Sequence, residues 1–278
     1  MAASAETERR DDDRGVYVYG VTLDIASFPA GVSGVADESV FAIHDDRVAA
    51  IVGRVSLDEF GEEPLRRNLN DLEWLERVAR THEAVVERAM ELQTVLPARL
   101  ATVYRGERDV VQMLEREQER LVAALERVRG AREWGVKAFA DPTQLAESVR
   151  RSSGEAAELR AVAEAKSGGT AYFAWKAHDE FVREAAAETK ERCASSTHDR
   201  LRELAADARL HPLERSALSR EEGELILNGA YLVRLEQEDA FRMGVRGLES
   251  ELAPVGVRLY LTGPWPPYNF ADQAAATE

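Results

Sequence analysis

Short apolar runs in the first third of the chain predict strands. Residues 15–20 read Gly-Val-Tyr-Val-Tyr-Gly, and their β-branched and aromatic side chains predict a strand. The runs Ser39–Ile43 and Arg47–Val52 flank His44-Asp45-Asp46, which predicts a β-hairpin. Glu133–Phe139 predicts a further strand.

Two stretches in the same region have helical periodicity. Apolar residues recur at three- and four-residue steps over Pro64–Leu92 and again over Glu107–Arg129, so both predict helices. Asn68 or Asn70 is the predicted cap of the first. Between them, Thr94–Tyr104 contains a proline, which disfavours a helix and predicts an edge strand or an extended loop.

A helical region begins at Asp141-Pro142, because proline suits the first helical turn and aspartate caps it. Ser167-Gly168-Gly169 divides the Ala/Glu/Arg-rich sequence that follows into predicted helices over 142–166 and 170–208. The apolar stripe of the second helix is formed largely by small side chains, which fits either a helical hairpin or a helix packed against a partner.

The last third of the chain predicts more sheet. Two apolar runs surround Asn228-Gly229 within Glu224–Leu235, which predicts either a hairpin or one strand with a bulge at Gly229. A helix over Glu236–Leu252 and a closing strand over Val255–Leu261 complete the pattern.

These elements predict an α+β protein of two domains. Residues 15–140 form a layer close to ferredoxin-like topology, with helices on one face of a mostly antiparallel sheet. Residues 141–270 form a second α+β domain with long helices. Residues 1–14 are predicted to be a disordered acidic tail, and residues 271–278 a flexible tail.

Composition narrows the classes of function. Acidic residues outnumber basic ones by 51 to 36, for a formal charge of −15, which argues against non-specific nucleic-acid binding. No apolar run reaches the length of a membrane span. The single cysteine, Cys193, can form no internal disulfide, which fits a reducing cytoplasm.

The sequence predicts no catalytic, cofactor or metal site. None of the five histidines has another at the i, i+4 spacing of a helical zinc site. Cys193 and His198 are five residues apart, which does not bring them together on one helix. A phosphate-binding glycine loop is also missing from the sequence.

Several short motifs follow one another in an order that resembles a known family. They are Gly15–Gly20, Leu96–Tyr104, Glu133–Lys137, Gly169–Tyr172, Asn228–Val233, and the closing Leu261–Phe270, Leu-Thr-Gly-Pro-Trp-Pro-Pro-Tyr-Asn-Phe. The sequence is similar to the gas vesicle protein F/L family, GvpF and GvpL, over about residues 15–270. Leu100 and Ala101 stand where the family pattern has Phe-Gly.

This resemblance implies a minor structural or assembly component with no enzymatic activity and no cofactor. It implies binding to the very hydrophobic shell protein GvpA and to other gas vesicle accessory proteins, either nucleating the vesicle or keeping shell subunits from aggregating. It also implies a location in the cytoplasm and on the vesicle, and a two-domain fold with a modified ferredoxin-like N-terminal domain.

Candidate partner contacts lie in two segments. They are Leu96, Pro97, Arg99, Leu100, Tyr104, Trp265, Tyr268 and Phe270. For Trp265 and Tyr268 the competing prediction is that they cap the core of the C-terminal domain. The competing functions are an α+β protein that binds a ligand in an interdomain cleft, and a helical scaffold that associates with itself.

Overall fold

The computed structural model describes residues 14–23, 31–213 and 223–271, so the predicted tails lie outside the described residues except for Arg14 and Ala271. Internal contacts divide the chain into two compact units. The first unit runs to Arg132 and resumes at Trp265, and the second unit is Glu133–Pro264. The α+β class is confirmed, with one sheet in each unit. The predicted domain boundaries themselves stay a prediction.

The first unit contains five strands and five helices in its described part. They are β1 (Arg14–Leu23), β2 (Val40–Asp45), β3 (Val48–Ser56), α1 (Leu57–Phe60), α2 (Glu62–Asn68), α3 (Leu72–Met90), β4 (Val95–Pro97), β5 (Val103–Tyr104), α4 (Glu107–Val128) and the C-terminal α9 (Tyr268–Ala271). The sheet order is β2-β3-β1-β4, with β5 also on β1, and each of these pairings is antiparallel. The predicted strand at residues 15–20 and the predicted hairpin are confirmed.

Helices cover both faces of this sheet, so the expectation of helices on one face was wrong. Tyr17 and Tyr19 of β1 pack in one core with α3, while Val18 and Val21 face α4. Every residue of β1 between its two ends is buried. A strand covered on both faces must be apolar at successive positions, which is what the Val-Tyr-Val-Tyr run provides.

The helix predicted over Pro64–Leu92 is interrupted. α2 ends at Asn68, and Asp71 begins α3 by accepting hydrogen bonds from the backbone N–H groups of Glu73 (3.0 Å) and Trp74 (3.3 Å). The cap is therefore Asp71 rather than Asn68 or Asn70. A carboxylate at this position satisfies two helix N–H groups that have no partner within the helix.

The second unit is built from β6 to β9 and four long helices, with two 3₁₀ turns. They are β6 (Ala131–Ala140, whose first two residues belong to the first unit), α5 (Pro142–Ser152), α6 (Gly154–Glu164), α7 (Gly168–Arg202), β7 (Asp207–Leu210), β8 (Glu224–Arg234), α8 (Glu238–Leu252) and β9 (Val257–Trp265, whose last residue belongs to the first unit). The sheet order is β7-β8-β6-β9. Its core joins Trp134 and Val136 of β6 to Tyr231 of β8 and Phe241 of α8.

The helices of this unit depart from the prediction at two places. The stretch predicted as 142–166 breaks at Ser153, whose hydroxyl caps α6 by accepting from the backbone N–H of Ala156. The helix predicted to reach residue 208 ends at Arg202, and β7 follows. The predicted cap at Asp141 is confirmed, since its carboxylate accepts from the N–H groups of Thr143 and Gln144. α6 and α7 pack against each other as a helical hairpin.

Asn228-Gly229 does not form a turn. β8 runs unbroken through it, and Gly229 pairs with Leu210 of β7 in regular register. The hairpin was therefore wrong, and the alternative of one strand is confirmed, with no bulge at Gly229 in its pairing with β7. A Cβ on Gly229 would come within 2.9 Å of the Tyr231 ring, so glycine is required here to make room for a core side chain.

Candidate partner-binding groove

The edge of the first sheet is interrupted between β4 and β5. Both short strands pair with β1, and residues 98–102 form a loop between them. This loop is tied to β1 by hydrogen bonds from the Ala98 N–H to the Tyr19 carbonyl and from the Val18 N–H to the Thr102 carbonyl, each 2.9 Å. The Thr102 hydroxyl also donates to the Arg99 carbonyl at 2.7 Å. These bonds fix an irregular edge beside α4.

Ala101 lies at the turn of this loop with φ +63°. That left-handed conformation is unfavourable for a residue with a Cβ and is usually taken by glycine. The Ala101 N–H donates to the buried Tyr17 hydroxyl at 3.0 Å, which helps to hold the loop in place. The family pattern has glycine at this position, and the backbone geometry gives the physical reason.

A groove of about 240 Å³ opens between this edge and α4. Both apolar and polar side chains line it: Val18, Val21, Leu96, Pro97, Ala98, Arg99, Thr102, Tyr104, Met113, Arg116, Glu117, Leu121 and Ala271. Pockets for drug-sized ligands usually exceed about 300 Å³, so this volume suits one or two side chains of a protein partner.

Two side chains of the groove, Glu117 and Tyr104, have shifted pKa values. Hydrogen bonds from Arg116 (3.0 Å) and Arg120 (2.7 Å) hold the pKa of the Glu117 carboxyl below its usual range, with Arg116 the larger cause. Burial raises the pKa of Tyr104. The groove therefore offers apolar packing and ionic contacts rather than acid–base chemistry.

Four of the eight sequence-predicted contact residues meet in the groove: Leu96, Pro97, Arg99 and Tyr104. Leu100 instead packs against the core that contains Tyr17 and α3. Sequence reasoning missed Met113, Glu117 and Leu121 as groove residues. Their spacing of four along α4 is the signal that could have found them, because residues four apart share one helix face.

The closing aromatic segment lies in the first unit. Phe270 is fully buried, and its carbonyl accepts a hydrogen bond from the Arg127 guanidinium at 2.6 Å. The Tyr268 ring lies 6.3 Å from the buried His82 ring of α3. The prediction that Tyr268 caps the core of the C-terminal domain was therefore wrong. Trp265 remains 40% exposed.

A second apolar surface lies in the second unit, at the start of α7. Tyr172 and Phe173 are 67% and 70% exposed, and their rings are 5.6 Å apart. Trp175 is also exposed, as is Val162 of α6. Adjacent exposed rings make this the second candidate surface for binding an apolar partner.

The described residues include no group of three or more His, Cys, Asp or Glu side chains placed to hold a metal ion. Burial raises the pKa of the Cys193 thiol, which disfavours the nucleophilic thiolate. Within the same ranges, no helix is long and apolar enough to cross a membrane.

The family model for gas vesicle synthesis protein GvpL/GvpF matches residues 15–272. The chain belongs to the GvpL/GvpF family. Among its relatives, gas vesicle protein L of Streptomyces sp. (strain CB03234) is 34% identical over 263 residues, covering 94% of each chain. Gas vesicle protein F of the same organism is 26% identical, covering 92% of this chain and 99% of the relative.

Solved structures support the fold of this GvpL/GvpF family member. The crystal structure of GvpF from Anabaena sp. PCC7120 matches with a TM-score of 0.67 and 23% identity, over 92% of this chain and 98% of that one. GvpF from Microcystis aeruginosa matches with a TM-score of 0.63 and the same coverage. The resemblance found in the sequence motifs is confirmed.

Proposed function

We propose that this chain is a gas vesicle accessory protein that binds the hydrophobic shell protein GvpA, without catalysing a reaction, and helps to nucleate the vesicle or to keep shell subunits from aggregating. Membership of the GvpL/GvpF family supports a role in vesicle formation. It acts in the cytoplasm and on the vesicle, alongside other gas vesicle accessory proteins.

The observation that carries the binding role is the groove between α4 and the β4–β5 edge. Its lining includes the largely buried apolar side chains of Val18, Val21, Leu96 and Leu121, on a chain of net charge −15. An apolar subunit gains by burying its surface in such a cleft, while the charge of the carrier keeps the complex in solution. The exposed rings of Tyr172 and Phe173 provide further apolar surface.

Co-expression with GvpA followed by affinity purification tests the proposal. We expect GvpA to copurify with the tagged wild-type chain and to sediment as aggregate when the chain is omitted. A strain lacking the gene should form few or no vesicles. Failure of GvpA to copurify, together with normal vesicles in the deletion strain, would contradict the proposal.

A further inference from the structure

The edge of the first unit is basic although the chain is acidic overall. The groove lining contains Arg99, Arg116 and Glu117. A polar depression of about 490 Å³ is lined by Arg14, Gly15, Val16, Arg54, Arg105, Gly106 and Glu107. Five arginines and two glutamates give these two linings a formal charge of +3, against −15 for the whole chain.

The two linings adjoin along the same sheet edge. Tyr104 lines the groove, and the next residue, Arg105, lines the depression. Val16, which also lines the depression, pairs with Tyr104 between β1 and β5. The groove and the arginine-lined depression therefore adjoin at β5, so a single bound segment can contact both.

The two carboxylates of this edge already have partners. Glu107 is ion-paired with Arg54, and Glu117 with Arg116 and Arg120. Within residues 14–23, 31–213 and 223–271, Arg14 and Arg105 form no ion pair. These two side chains supply the charge that an acidic partner would neutralise.

The chain itself shows how this face accepts an apolar segment. The single-turn helix α9 packs against β4 and α4, buries Phe270 completely, and brings Ala271 into the lining of the groove. The open part of the groove continues from that contact. It holds room for one or two more apolar side chains.

We propose that this edge docks a segment of a partner protein in which one or two apolar side chains stand beside acidic residues. The apolar side chains enter the groove beside Met113 and Leu121, and the carboxylates lie along Arg14 and Arg105. The inference rests on the proposed function only for the identity of the partner, GvpA. The chemistry of the segment follows from the lining.

The test uses the full chain and two kinds of probe. The first is co-expressed GvpA. The second is a fluorescein-labelled synthetic peptide of leucine and glutamate residues, compared with one peptide carrying lysine for glutamate and another carrying serine for leucine. We expect the leucine–glutamate peptide to bind at least about tenfold more tightly than either comparison peptide, and its binding to weaken in high salt.

Two variants should each weaken binding of the leucine–glutamate peptide and of GvpA by about tenfold or more. The double variant Arg14→Glu, Arg105→Glu reverses the charge of two arginines in the depression. Met113→Trp fills the groove with a larger side chain. Two controls lie outside both linings: Arg80→Glu reverses an exposed charge on α3, and Met243→Trp places a tryptophan at an exposed methionine of α8, so both should bind like the wild type. Circular dichroism and melting temperature check that each variant is folded.

Equal binding of the three peptides, or wild-type binding by folded Met113→Trp and by the double variant, would overturn the inference. If GvpA binds the wild type and every variant equally, the assignment of the docking site to this edge is wrong, while the proposed function stands. If GvpA never binds and the deletion strain forms normal vesicles, but the peptide behaves as expected, the proposed function fails and the docking site at this edge stands. Self-association that both variants abolish would assign the edge to a second copy instead.

Discussion

Replacing Phe270 by alanine tests whether the last described residues of the chain complete the core of the first unit. The Phe270 ring is fully buried, whereas the hydrogen bond from Arg127 reaches its backbone carbonyl. Alanine keeps that carbonyl, so Phe270→Ala removes the ring alone. The variant therefore separates core packing from the attachment of α9.

The expected loss follows from the burial of the ring. Phenylalanine-to-alanine substitutions in cores cost about 3–5 kcal/mol, because a cavity adds to the lost transfer free energy. α9 is a single turn near the chain end and can relax, so we expect the lower value, about 3 kcal/mol. For a unit of this size that loss lowers the melting temperature by roughly 10 °C.

Urea unfolding and hydrogen exchange read by mass spectrometry measure the effect. We expect faster exchange in β4 and α4, which α9 contacts, and unchanged exchange in β8 of the second unit. Trp265→Ala is the matched control, because that ring is 40% exposed, and it should cost less than about 1 kcal/mol.

A Phe270→Ala variant that unfolds at the wild-type urea concentration would refute a core role for this ring. Faster exchange in β8 rather than in β4 and α4 would also refute it. A larger loss for Trp265→Ala than for Phe270→Ala would mean that the aromatic segment stabilises the fold through its exposed ring.

Three further predictions concern single sites in the first unit. Burial lowers the pKa of His82, 2% exposed, from 6.5 to about 4, so the unfolded state binds more protons between these values. The contribution of neutral His82 to the free energy of unfolding is complete above pH 6.5 and falls by about 3 kcal/mol as the pH drops to 4. His82→Gln should therefore flatten the dependence of the urea midpoint on pH in this range, and an unchanged dependence would exclude His82 as its cause. Ala101→Gly should raise the free energy of unfolding by about 0.5–1 kcal/mol, because it relieves the φ +63° strain at some entropic cost; a lower melting temperature would contradict this. Asp71→Ala should lose about 1 kcal/mol through the missing cap of α3, while Asp71→Asn keeps most of it; equal losses would show that the charge, not the cap, matters.

Local patterns predicted the elements whose stability is mostly local. The β2–β3 hairpin, α4 and the Asp141 cap all follow from residues within a few positions of one another. The predictions that were wrong depend on contacts between elements distant in the sequence or on side-chain packing that a local pattern does not reveal. Gly229 is used to admit the Tyr231 ring in the middle of a strand, so its dipeptide with Asn228 gives a false turn signal. The covering of the first sheet on both faces was visible in the continuous apolar run of β1, and the prediction did not use it.

The groove was predictable in part. The irregular segment around Pro97 drew attention to Leu96 and Tyr104, which the structure places in the lining. Its second wall, on α4, depends on which face of that helix meets the sheet edge. The third contributor, Ala271, comes from the far end of the chain, and no local pattern connects it to β4.

The division of the first unit between the two ends of the sequence has a consequence for synthesis on the ribosome. All of Glu133–Pro264 is translated before Trp265 and Phe270 exist, so the second unit can fold while the first still lacks a core residue. A nascent chain that ends at Pro264, and carries a linker long enough to bring that residue out of the ribosomal tunnel, should therefore show a protease-resistant second unit. Its first unit should be cleaved more readily than in the complete chain.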